Sequence, residues 1–511
     1  MNELFILGIS EIFQIDVLIT IFFGVLAGIL AGLIPGFTVA MAIVLTLPLT
    51  FGMDPVNGVA AMIGVFVGGM SGGLISAALL GIPGTPSSIA TTFDAFPMTQ
   101  AGKPGQAIAI GVWASFLSSL ISMMLLISIA PQVARFALMF GPWEMFSLIV
   151  FSLTIIASVT GNSIFKGLMS GFFGLLIATV GADPIAGFSR FSLGWRTLRA
   201  GIPFLVVLIG MFAVARLLAE VETHKLKQGD IKEDIDKRLK EVKQMDFSLR
   251  PLKTLKMVLK RPVNLIRSSV IGAVIGAIPG AGGSIANVVA YDQAKKWSKN
   301  PEEFGTGSID GVIASEAGNN STVGGDLIPT VALGIPGSAV TAVLLSALMV
   351  HGISPGPLLI VNEPNVVGGI FVAFAVASFW MLIIQFAGVR VFMKVTKVPM
   401  QYLVPIILAL CVIGSFILNN RVTDLYILVV MGIVGYLFMK FDFSLPPAII
   451  GVILGPIAEV NLRRAMMADP DITLFVTRPI SLVFLILAVA SFTFSLWQSK
   501  RTSERIRRAS L

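Results

Sequence analysis

The stretch Gly28-Ile-Leu-Ala-Gly32-Leu-Ile-Pro35-Gly36 returns in the second half of the chain as Gly272-Ala-Val-Ile-Gly276-Ala-Ile-Pro279-Gly280. A second signature follows each copy at nearly the same offset: Leu79-Leu-Gly81-Ile82-Pro83-Gly84 and Ala332-Leu-Gly334-Ile335-Pro336-Gly337. The chain is therefore a duplication. All four signatures interrupt long apolar runs. Because an unpaired backbone group in hydrocarbon costs several kcal/mol, such breaks are stable at membrane depth only inside protein or beside water.

The composition is that of an integral membrane protein. Of 511 residues, 55% are hydrophobic and 13% are charged, whereas a soluble domain carries about 25% charged residues. The mean hydropathy is +0.91. Residues 55–93 and 268–291 carry no charge, and each stretch exceeds the roughly 20 residues that one bilayer crossing needs.

Hydrophobic segments occur in the same order in both halves, which predicts an all-α polytopic membrane protein. We expect two inverted repeats with Gly/Pro-broken helices or re-entrant hairpins, and about 12 transmembrane segments. The first-half segments lie near residues 15–50, 57–92, 106–130, 142–159, 162–181 and 200–218. Their second-half counterparts lie near 264–290, 309–350, 365–393, 399–418, 423–440 and 445–460, and one helix near 478–497 has no partner. The predicted domains are a first repeat (1–218), a charged cytoplasmic linker (219–263), a second repeat (264–465), and a final helix with a basic cytoplasmic tail (466–511).

Charge distribution predicts the orientation. The net charge is +8, and many of the basic residues lie in the linker and the C-terminal tail, which the positive-inside rule places in the cytoplasm. Residues 1–16 contain no basic residue, so we expect them outside; without a positive n-region they do not form a signal peptide. The first half would then cross an odd number of times, which makes the repeats inverted. Arg463-Arg464 does not fit this orientation, because the scheme places the pair outside or at the outer interface, whereas basic residues are expected in the cytoplasm.

Polar, glycine-rich clusters surround the second break of each half. One includes Gly68 to Gly73 and Pro83 to Ser88, and the other includes Ser315 to Asp326 and Pro336 to Ser338. Hydroxyls, carboxamides and the N–H groups of half-helix N-termini suit an anionic solute. Freed carbonyls suit a cation, so a carboxylate bound together with Na⁺ or H⁺ fits both sets.

Glu316 and Asp326 are the ionisable residues that stand out within apolar segments. Such a group costs about 2.5 kcal/mol or more on insertion scales and is by default a functional candidate, here for the coupling ion. The alternative is that both lie in a re-entrant loop close to water. Asp94 and Tyr291-Asp292-Gln293 follow their segments and are interpreted as membrane exits rather than ligands.

Several patterns have less specific interpretations. The Gly28/Gly32 and Gly272/Gly276 spacings also allow close helix packing, although packing does not explain the Pro-Gly that follows each pair. Gly69-Met70-Ser71-Gly72-Gly73 matches the Gly-x-Ser-x-Gly nucleophile pattern. A serine nucleophile needs an adjacent base, and the chain has only His224 in the linker and His351 beside a turn-like stretch. An intramembrane serine hydrolase is therefore disfavoured, and no catalytic residue is predicted.

Other polar clusters carry no predicted role in transport. The residues Gly181-Ala-Asp183-Pro184 and Glu459 to Arg464 are interpreted as caps and interfacial ion pairs. Cys411 is the only cysteine, so the chain forms no internal disulfide. The linker is shorter than the roughly 50 residues of a small domain and cannot house an ATPase. Ion-gradient-driven transport without another cofactor follows as the expectation.

These residues resemble the large membrane subunit of the bacterial tripartite tricarboxylate transporters over nearly the full chain. The resemblance is carried by Gly28 to Gly36, Gly81 to Pro86, Gly181 to Phe191, Gly272 to Gly283, Ser315 to Asn320, Leu333 to Ser338 and Gly451 to Arg464. The sequence departs from that family's pattern at Ser315, where proline is usual. It also departs at the polar run from Ser321-Thr322 through Asp326, which is usually small and apolar. These departures leave the substrate open.

The resemblance implies a permease of the bacterial inner membrane. It would work with a small four-helix membrane subunit and a periplasmic binding protein, and would import di- or tricarboxylates such as citrate with Na⁺ or H⁺. The alternative is a stand-alone carrier or exporter of another organic anion. By analogy, a transport domain would move past a scaffold.

Together, the breaks and the resemblance predict the site. The predicted substrate contacts are Gly36, Thr38, Ser71, Gly72, Pro83, Gly84, Thr85, Ser87, Gly280, Gly282, Ser284, Asn319, Asn320, Pro336, Gly337 and Ser338. The predicted coupling-ion residues are Glu316 and Asp326, and candidate Na⁺ positions lie near Gly36, Gly280 and Asn319.

Overall fold

The structure is a computed structural model that describes residues 2–34, 36–159, 163–183, 185–227, 245, 247–395 and 400–509. Its first-half helices are α1 (Asn2–Ile12), α2 (Ile15–Leu33), α3 (Val39–Thr46), α4 (Pro55–Leu80), α5 (Thr91–Gln100), α6 (Pro104–Ala137), α7 (Pro142–Val159), α8 (Ile164–Ala178), α9 (Phe204–Leu208) and α10 (Ala215–Lys227). A π-helical turn, Ile209–Val214, joins α9 to α10. Between α8 and α9, β1 (Gly181–Ala182) pairs antiparallel with β2 (Ser189–Arg190).

The second half continues the helical pattern. Its helices are α11 (Pro251–Leu259), α12 (Pro262–Gly276), α13 (Gly282–Lys296), α14 (Ile309–Leu333), α15 (Ala339–Val350), α16 (Leu359–Asn362), α17 (Pro364–Val395), α18 (Met400–Asn419), α19 (Val422–Lys440), α20 (Leu445–Ala468), α21 (Leu474–Thr477) and α22 (Pro479–Ala509). Short 3₁₀ turns lie at Leu47–Thr50, Pro86–Ser88, Arg196–Ala200 and Pro301–Glu303.

All four predicted breaks are confirmed. Helix α2 ends at Leu33 and α4 at Leu80, just before the first-half Pro-Gly pairs. Helices α12 and α14 end at Gly276 and Leu333, before the corresponding second-half pairs. Proline removes a backbone donor and fixes φ, and Gly280 has a φ of 85°, which favours glycine. At the second break of each half, the helix ends at a glycine in the left-handed conformation, Gly81 or Gly334, two residues before the Pro-Gly pair.

Within the part of the chain that the structure describes, eight helices are long and apolar enough to cross a membrane. They are Ile15–Leu33, Pro55–Leu80, Pro104–Ala137, Phe204–Glu222, Pro364–Val395, Val422–Lys440, Leu445–Ala468 and Pro479–Trp497. Six shorter apolar helices of 10–17 residues accompany them. Large apolar side chains remain exposed on many helices, for example Phe165, Phe172 and Leu176 on α8. A surface of this kind needs an apolar environment, so the chain is an all-α, multi-pass membrane protein.

The chain divides into two compact units. Unit 1 comprises residues 1–134 and 220–410, and unit 2 comprises residues 135–219 and 411–511. Each unit therefore takes residues from both sequence halves. The inverted arrangement and the domain boundaries at residues 218, 263 and 465 remain predictions.

The core of unit 1 is built on two helices that are covered along almost their whole length, α4 and α14. Helix α2 packs along α4, and α12 packs along α14. A Cβ added at Gly28 or Gly272 would collide with the carbonyl of Val65 or Gly318 on these helices. Close packing at these glycines is confirmed.

In unit 2, α20 packs along α7 and α8, and α22 packs along α7. Helix α19 packs along the π-helical turn. The side chains of Trp143, Ala465 and Phe475 form a small apolar cluster at one end. The β-hairpin follows α8 directly, so that its polar residues lie at a helix end.

Candidate functional site

The four helix breaks lie together in unit 1. A Cβ at Gly84 would collide with the carbonyl of Gly32, so the first two breaks are adjacent. A Cβ at Gly283 would lie 3.0 Å from Cβ of Ser87, which brings the second and third breaks together. The Gly280 amide donates a hydrogen bond to the Gly337 carbonyl over 2.7 Å and joins the third break to the fourth.

The two halves repeat the same contact. Gly84 lies against the carbonyl of Gly32, and a Cβ at Gly337 would lie 2.8 Å from the carbonyl of Gly276. The two carbonyls belong to the equivalent glycines of the repeated signature. In each half, the second Pro-Gly break thus packs against the C-terminal end of the helix that precedes the first break, which is α2 or α12. A half-helix C-terminus carries unpaired carbonyls, which suit a cation.

Capping boxes follow both tips. Thr85 and Ser88 form one, and Ser338 and Thr341 form the other, in which Ser338 N–H donates to Thr341 Oγ1 over 2.9 Å. A capping box satisfies N-terminal amides with the helix's own side chains. Some of the N–H donors that the sequence assigned to the substrate are therefore already hydrogen-bonded.

Glu316 lies within α14, and its side chain is completely buried. Its Oε1 accepts a hydrogen bond from Thr91 Oγ1 at 2.6 Å, and its Oε2 accepts one from Ser115 Oγ at 2.9 Å. Asn320 Nδ2 donates to Ser115 Oγ at 2.8 Å and to Glu316 Oε2 at 3.2 Å. Glu316 therefore ties α14 to α5 and α6, and both of its carboxylate oxygens have donors.

Asp326 lies ten residues further along the same helix and is 1% exposed. Its Oδ1 has no hydrogen-bond partner among the described residues. A Cβ at Gly276 would lie 3.0 Å from this oxygen, and one at Gly337 would lie 2.8 Å from Asp326 Cα. The open carboxylate oxygen is thus placed beside the two second-half breaks. Both acidic residues lie inside one continuous helix, α14, and whether that helix is re-entrant stays a prediction.

Three carboxamide oxygens near the breaks also lack donors within the described residues: Asn319 Oδ1, Asn320 Oδ1 and Gln385 Oε1. Asn319 Nδ2 donates to the Met70 carbonyl at 2.8 Å, which leaves its oxygen about 2.8 Å from the Cβ position of Gly283. Buried acceptors without donors are costly. A cation or a bound water would offset that cost.

The structure brings eight of the predicted residues to the joined breaks: Gly84, Thr85, Ser87, Gly280, Gly282, Asn319, Gly337 and Ser338. Gly36, Pro83 and Pro336 lie in the connecting turns of the breaks. Asn320 belongs to the Glu316 network. Thr38 accepts a hydrogen bond from Met41 N–H as the N-cap of α3, and Gly72 lies against Ile29 of α2. Ser284 is exposed on α13.

Ser71 does not have the surroundings of a nucleophile. Its Oγ accepts a hydrogen bond from Gln385 Nε2 at 2.9 Å. His351, at the C-terminal end of α15, lies 3.3 Å from Thr50 Oγ1. A carboxamide donor cannot act as the general base that a serine nucleophile needs.

Sequence reasoning missed four polar residues of unit 1: Thr91, Ser115, Asn287 and Gln385. Asn287 Oδ1 accepts from the Ala90 amide at 2.7 Å, and its Nδ2 donates to the Ser315 carbonyl at 3.0 Å. A carboxamide within the uncharged stretch 268–291 could have been recognised as a candidate. Serine and threonine hydroxyls in helices do not mark a site in the same way, because they can donate hydrogen bonds to carbonyls of the preceding helical turn.

Asp94 holds a loop through hydrogen bonds that the sequence does not indicate. Its Oδ1 accepts hydrogen bonds from the amides of Gly305, Gly307 and Ser308 at 2.7–2.9 Å, and its Oδ2 accepts one from Tyr291 at 2.8 Å. The side chain is completely buried. Asp94 therefore fixes the loop that leads into α14, and its position at a membrane exit stays a prediction.

In unit 2, the two polar clusters of the sequence form one ion-pair network. Arg190 donates from both guanidinium Nη atoms to the two carboxylate oxygens of Glu459, at 2.5 and 3.0 Å, and Arg463 Nη1 lies 2.7 Å from Asp183 Oδ2. The Ala186 amide, together with these arginines, lowers the pKa of Asp183. The predicted ion pairs are present, and they join the β-hairpin to α20; Glu459 and Arg463 lie inside α20 and do not cap it. Among the described residues, no group of three His, Cys, Asp or Glu side chains could hold a metal ion.

The chain is similar to known proteins over most of its length. The model of the Tripartite tricarboxylate transporter TctA family matches residues 18–450. An uncharacterized 52.8 kDa protein in the TAR-I ttuC' 3'region of Agrobacterium vitis is 33% identical over 454 residues, which cover 89% of this chain and 88% of that protein. An uncharacterized protein in the TAR-II ttuC' 3'region of the same organism is 34% identical over 232 residues, 45% of this chain and 96% of that protein. No solved structure matches the chain.

Members of this family form the large subunit of transporters that also use a binding protein and a small subunit. The family match spans most of the chain and includes all four helix breaks. We conclude that the chain belongs to the tripartite tricarboxylate transporter TctA family and is an integral membrane transporter protein.

Proposed function

We propose that this chain is the permease subunit of a secondary active transporter that imports di- or tricarboxylates such as citrate. A periplasmic binding protein would deliver the substrate, a small four-helix subunit would complete the membrane complex, and a Na⁺ or H⁺ gradient would drive uptake. The chain would lie in the bacterial inner membrane with its C-terminal tail in the cytoplasm. The proposal rests on the four helix breaks that meet within unit 1.

Helix breaks in transporters place backbone groups around a central site. Here the first-half tip offers hydroxyl groups for an anion, since Thr85 Oγ1 and Ser87 Oγ lie 3.0 Å apart and both are buried. The Asn319 carboxamide lies next to this tip. We propose that the substrate carboxylates bind at these side chains. One of the two hydroxyl protons lies in the hydrogen bond between them, and the other can turn towards an acceptor.

The second-half tip suits the cation. Asp326 Oδ1 has no donor among the described residues, and Gly276 ends the helix beside it. Gly73 is the first-half equivalent of Asp326, because each precedes the glycine of its Pro-Gly tip by 11 residues. The Cβ position of Gly73 lies 2.9 Å from Thr85 Oγ1, so the first-half tip has a glycine in place of the carboxylate. A hard cation prefers oxygen ligands, including carboxylates and backbone carbonyls. We therefore propose that Na⁺ or H⁺ binds at Asp326.

Glu316 is the second acidic candidate. Three donors, from Thr91, Ser115 and Asn320, already surround its carboxylate. Binding a cation there would break or reorient these hydrogen bonds, whereas Asp326 Oδ1 has none to lose. We propose that Glu316 fixes α5 and α6 against α14 and that its neutralisation lowers the rate of uptake through that position without removing its dependence on the ion gradient.

The test is uptake of radiolabelled citrate into proteoliposomes that contain the complete membrane complex, with and without the binding protein. Asp326→Asn should remove the dependence of uptake on the ion gradient while the protein remains folded. Glu316→Gln should lower the rate of uptake. Retained ion dependence in Asp326→Asn, with its loss in Glu316→Gln, would assign the cation to Glu316. Full uptake without the binding protein would favour a stand-alone carrier.

A further inference from the structure

The side chain of Asn319 presents an open hydrogen-bond acceptor beside the joined breaks. Asn319 lies in α14 and is completely buried, and its Oδ1 has no hydrogen-bond partner among the described residues. Chemistry fixes which carboxamide atom is which. The Nδ2 atom lies 2.8 Å from the Met70 carbonyl oxygen, which can only accept a hydrogen bond. Asn319 therefore has a donor that is already used and an acceptor that is open.

The open oxygen faces the first turn of α13. A Cβ added at Gly283 would lie 2.8 Å from Asn319 Oδ1 and 3.0 Å from Ser87 Cβ, so the same point adjoins both side chains. Glycine at this position leaves that space without a side chain of its own. Gly283 is half-buried and its neighbour Ser284 is exposed. A solute that enters beside the start of α13 can therefore reach the oxygen without crossing the core of unit 1.

Donors and an acceptor are thereby combined in one place. The proposed substrate site contains the hydroxyls of Thr85 and Ser87, and one of their two protons can turn towards a carboxylate oxygen. Asn319 Oδ1 cannot bind an ionised carboxylate, because both groups are acceptors and neither carries a proton. Its partner on the substrate must be a donor. In an organic acid that donor is a hydroxyl group.

A cation could also bind a carboxamide oxygen, but the surroundings of Asn319 do not favour one. Glu316, one turn earlier on α14, directs its carboxylate to Thr91 and Ser115, whereas Asn319 faces α4 and α13. Asp326 lies two turns further along α14, about 10 Å away at 1.5 Å per residue. A cation at Asn319 would therefore lack the carboxylate ligand that Asp326 offers.

We propose that Asn319 Oδ1 accepts a hydrogen bond from a hydroxyl group of the substrate, so that the site selects hydroxycarboxylates over carboxylates that have no hydroxyl. This inference rests on the proposed function, which places substrate carboxylates at Thr85 and Ser87. A substrate without the hydroxyl leaves the oxygen buried and unpaired. A site built to bind a hydroxyl discriminates strongly against an analogue that lacks it for this reason.

Citrate and tricarballylate provide the test, because they differ by one hydroxyl group. The measurement is binding of radiolabelled citrate to the purified full-length protein in detergent, with either unlabelled acid as competitor. The pH is chosen so that both acids are fully ionised. The parent protein should bind citrate about 10-fold more tightly than tricarballylate. In Asn319→Ala this preference should disappear, because neither acid then has an acceptor for the hydroxyl.

Two further variants separate this role from a structural one. Gly283→Ala places a methyl group against Asn319 Oδ1 and keeps the hydrogen bond of Asn319 to Met70. It should also remove the preference for citrate. Asn287→Ala is the matched control, since it removes a buried carboxamide whose oxygen already accepts a hydrogen bond from the Ala90 amide. The ratio of the two affinities should keep its parental value in this control.

The outcomes distinguish the inference from the proposed function. Equal binding of the two acids by the parent protein, or a preference for citrate that persists in Asn319→Ala, would overturn the inference and leave the proposed substrate site intact. If Asn319→Ala instead alters the Na⁺ dependence of binding equally for both acids, the oxygen binds a cation and the inference is wrong. Binding of neither acid by the parent protein would contradict the proposed function itself, and the inference with it.

Discussion

The backbone amide of Gly280 donates a hydrogen bond to the backbone carbonyl of Gly337 over 2.7 Å. The two glycines belong to different Pro-Gly breaks of the second half, 57 residues apart by their numbers. Each break frees backbone groups, and this bond satisfies one donor and one acceptor of that set. The fit is close, because a Cβ at Gly337 would lie 2.8 Å from both Asp326 Cα and the Gly276 carbonyl.

Substitution of Gly337 by alanine should therefore separate the two second-half breaks. Crowding against backbone atoms is expected to destabilise the protein by about 1–3 kcal/mol and to lower uptake in proteoliposomes. Gly52→Ala is the matched control, since a Cβ at Gly52 would have no neighbour within 4 Å. Equal thermal stability and uptake in the two variants would contradict the importance of this contact.

Thr91→Val should destabilise unit 1 by removing a donor from a buried carboxylate. Glu316 Oε1 accepts its described hydrogen bond from Thr91, and an unsatisfied buried acceptor costs about 1–3 kcal/mol. Thermal unfolding in detergent measures the effect. The control is Thr92→Val at the adjacent position, where the exposed hydroxyl donates to the Ile89 carbonyl. If both substitutions have the same effect, the Glu316 network does not hold α5.

Asp94→Ala should open the loop that leads into α14. Three backbone amides and one tyrosine hydroxyl lose their charged acceptor, and hydrogen bonds to charged groups contribute about 1.5 kcal/mol or more each. Hydrogen exchange at Gly305, Gly307 and Ser308 should rise by at least about 100-fold. Asp292→Ala removes an exposed ion pair with Lys296, and such pairs contribute about 1 kcal/mol or less. If hydrogen exchange at these amides is as slow in Asp94→Ala as in the parent protein, Asp94 does not hold the loop.

Stability of unit 2 should depend on pH through Asp183. The Ala186 amide, together with Arg463 and Arg190, holds the pKa of this carboxyl below its usual value of 3.8. A carboxyl whose pKa is lower in the folded state stabilises the protein fully above its unfolded-state pKa. This contribution to the free energy of unfolding disappears as the pH falls through the folded-state pKa. Asp183→Asn should therefore unfold at a lower temperature than the parent at pH 7, and the difference should shrink below about pH 4. A difference that stays constant down to pH 2 would contradict the ion-pair network.

Much of the fold follows from local chemistry. Each of the four repeated Pro-Gly pairs follows the end of a helix, and segments such as 142–159 match the observed α7 without adjustment. Short or amphipathic elements were not predicted, among them α1, α11 and the β-hairpin. They lack the length or apolarity that makes a membrane segment stand out.

The sequence by itself determined the membrane class, the duplication, the family and the positions of the helix breaks, because proline, glycine and long apolar runs act through neighbouring residues. Only the tertiary structure decided which polar groups meet. Thr91 and Ser115 reach Glu316 from 225 and 201 residues away, and the pairing depends on how α5 and α6 pack against α14. The same packing supplies donors to Glu316 and leaves an oxygen of Asp326 without one. Two acidic residues of similar sequence context thereby acquire different chemistry.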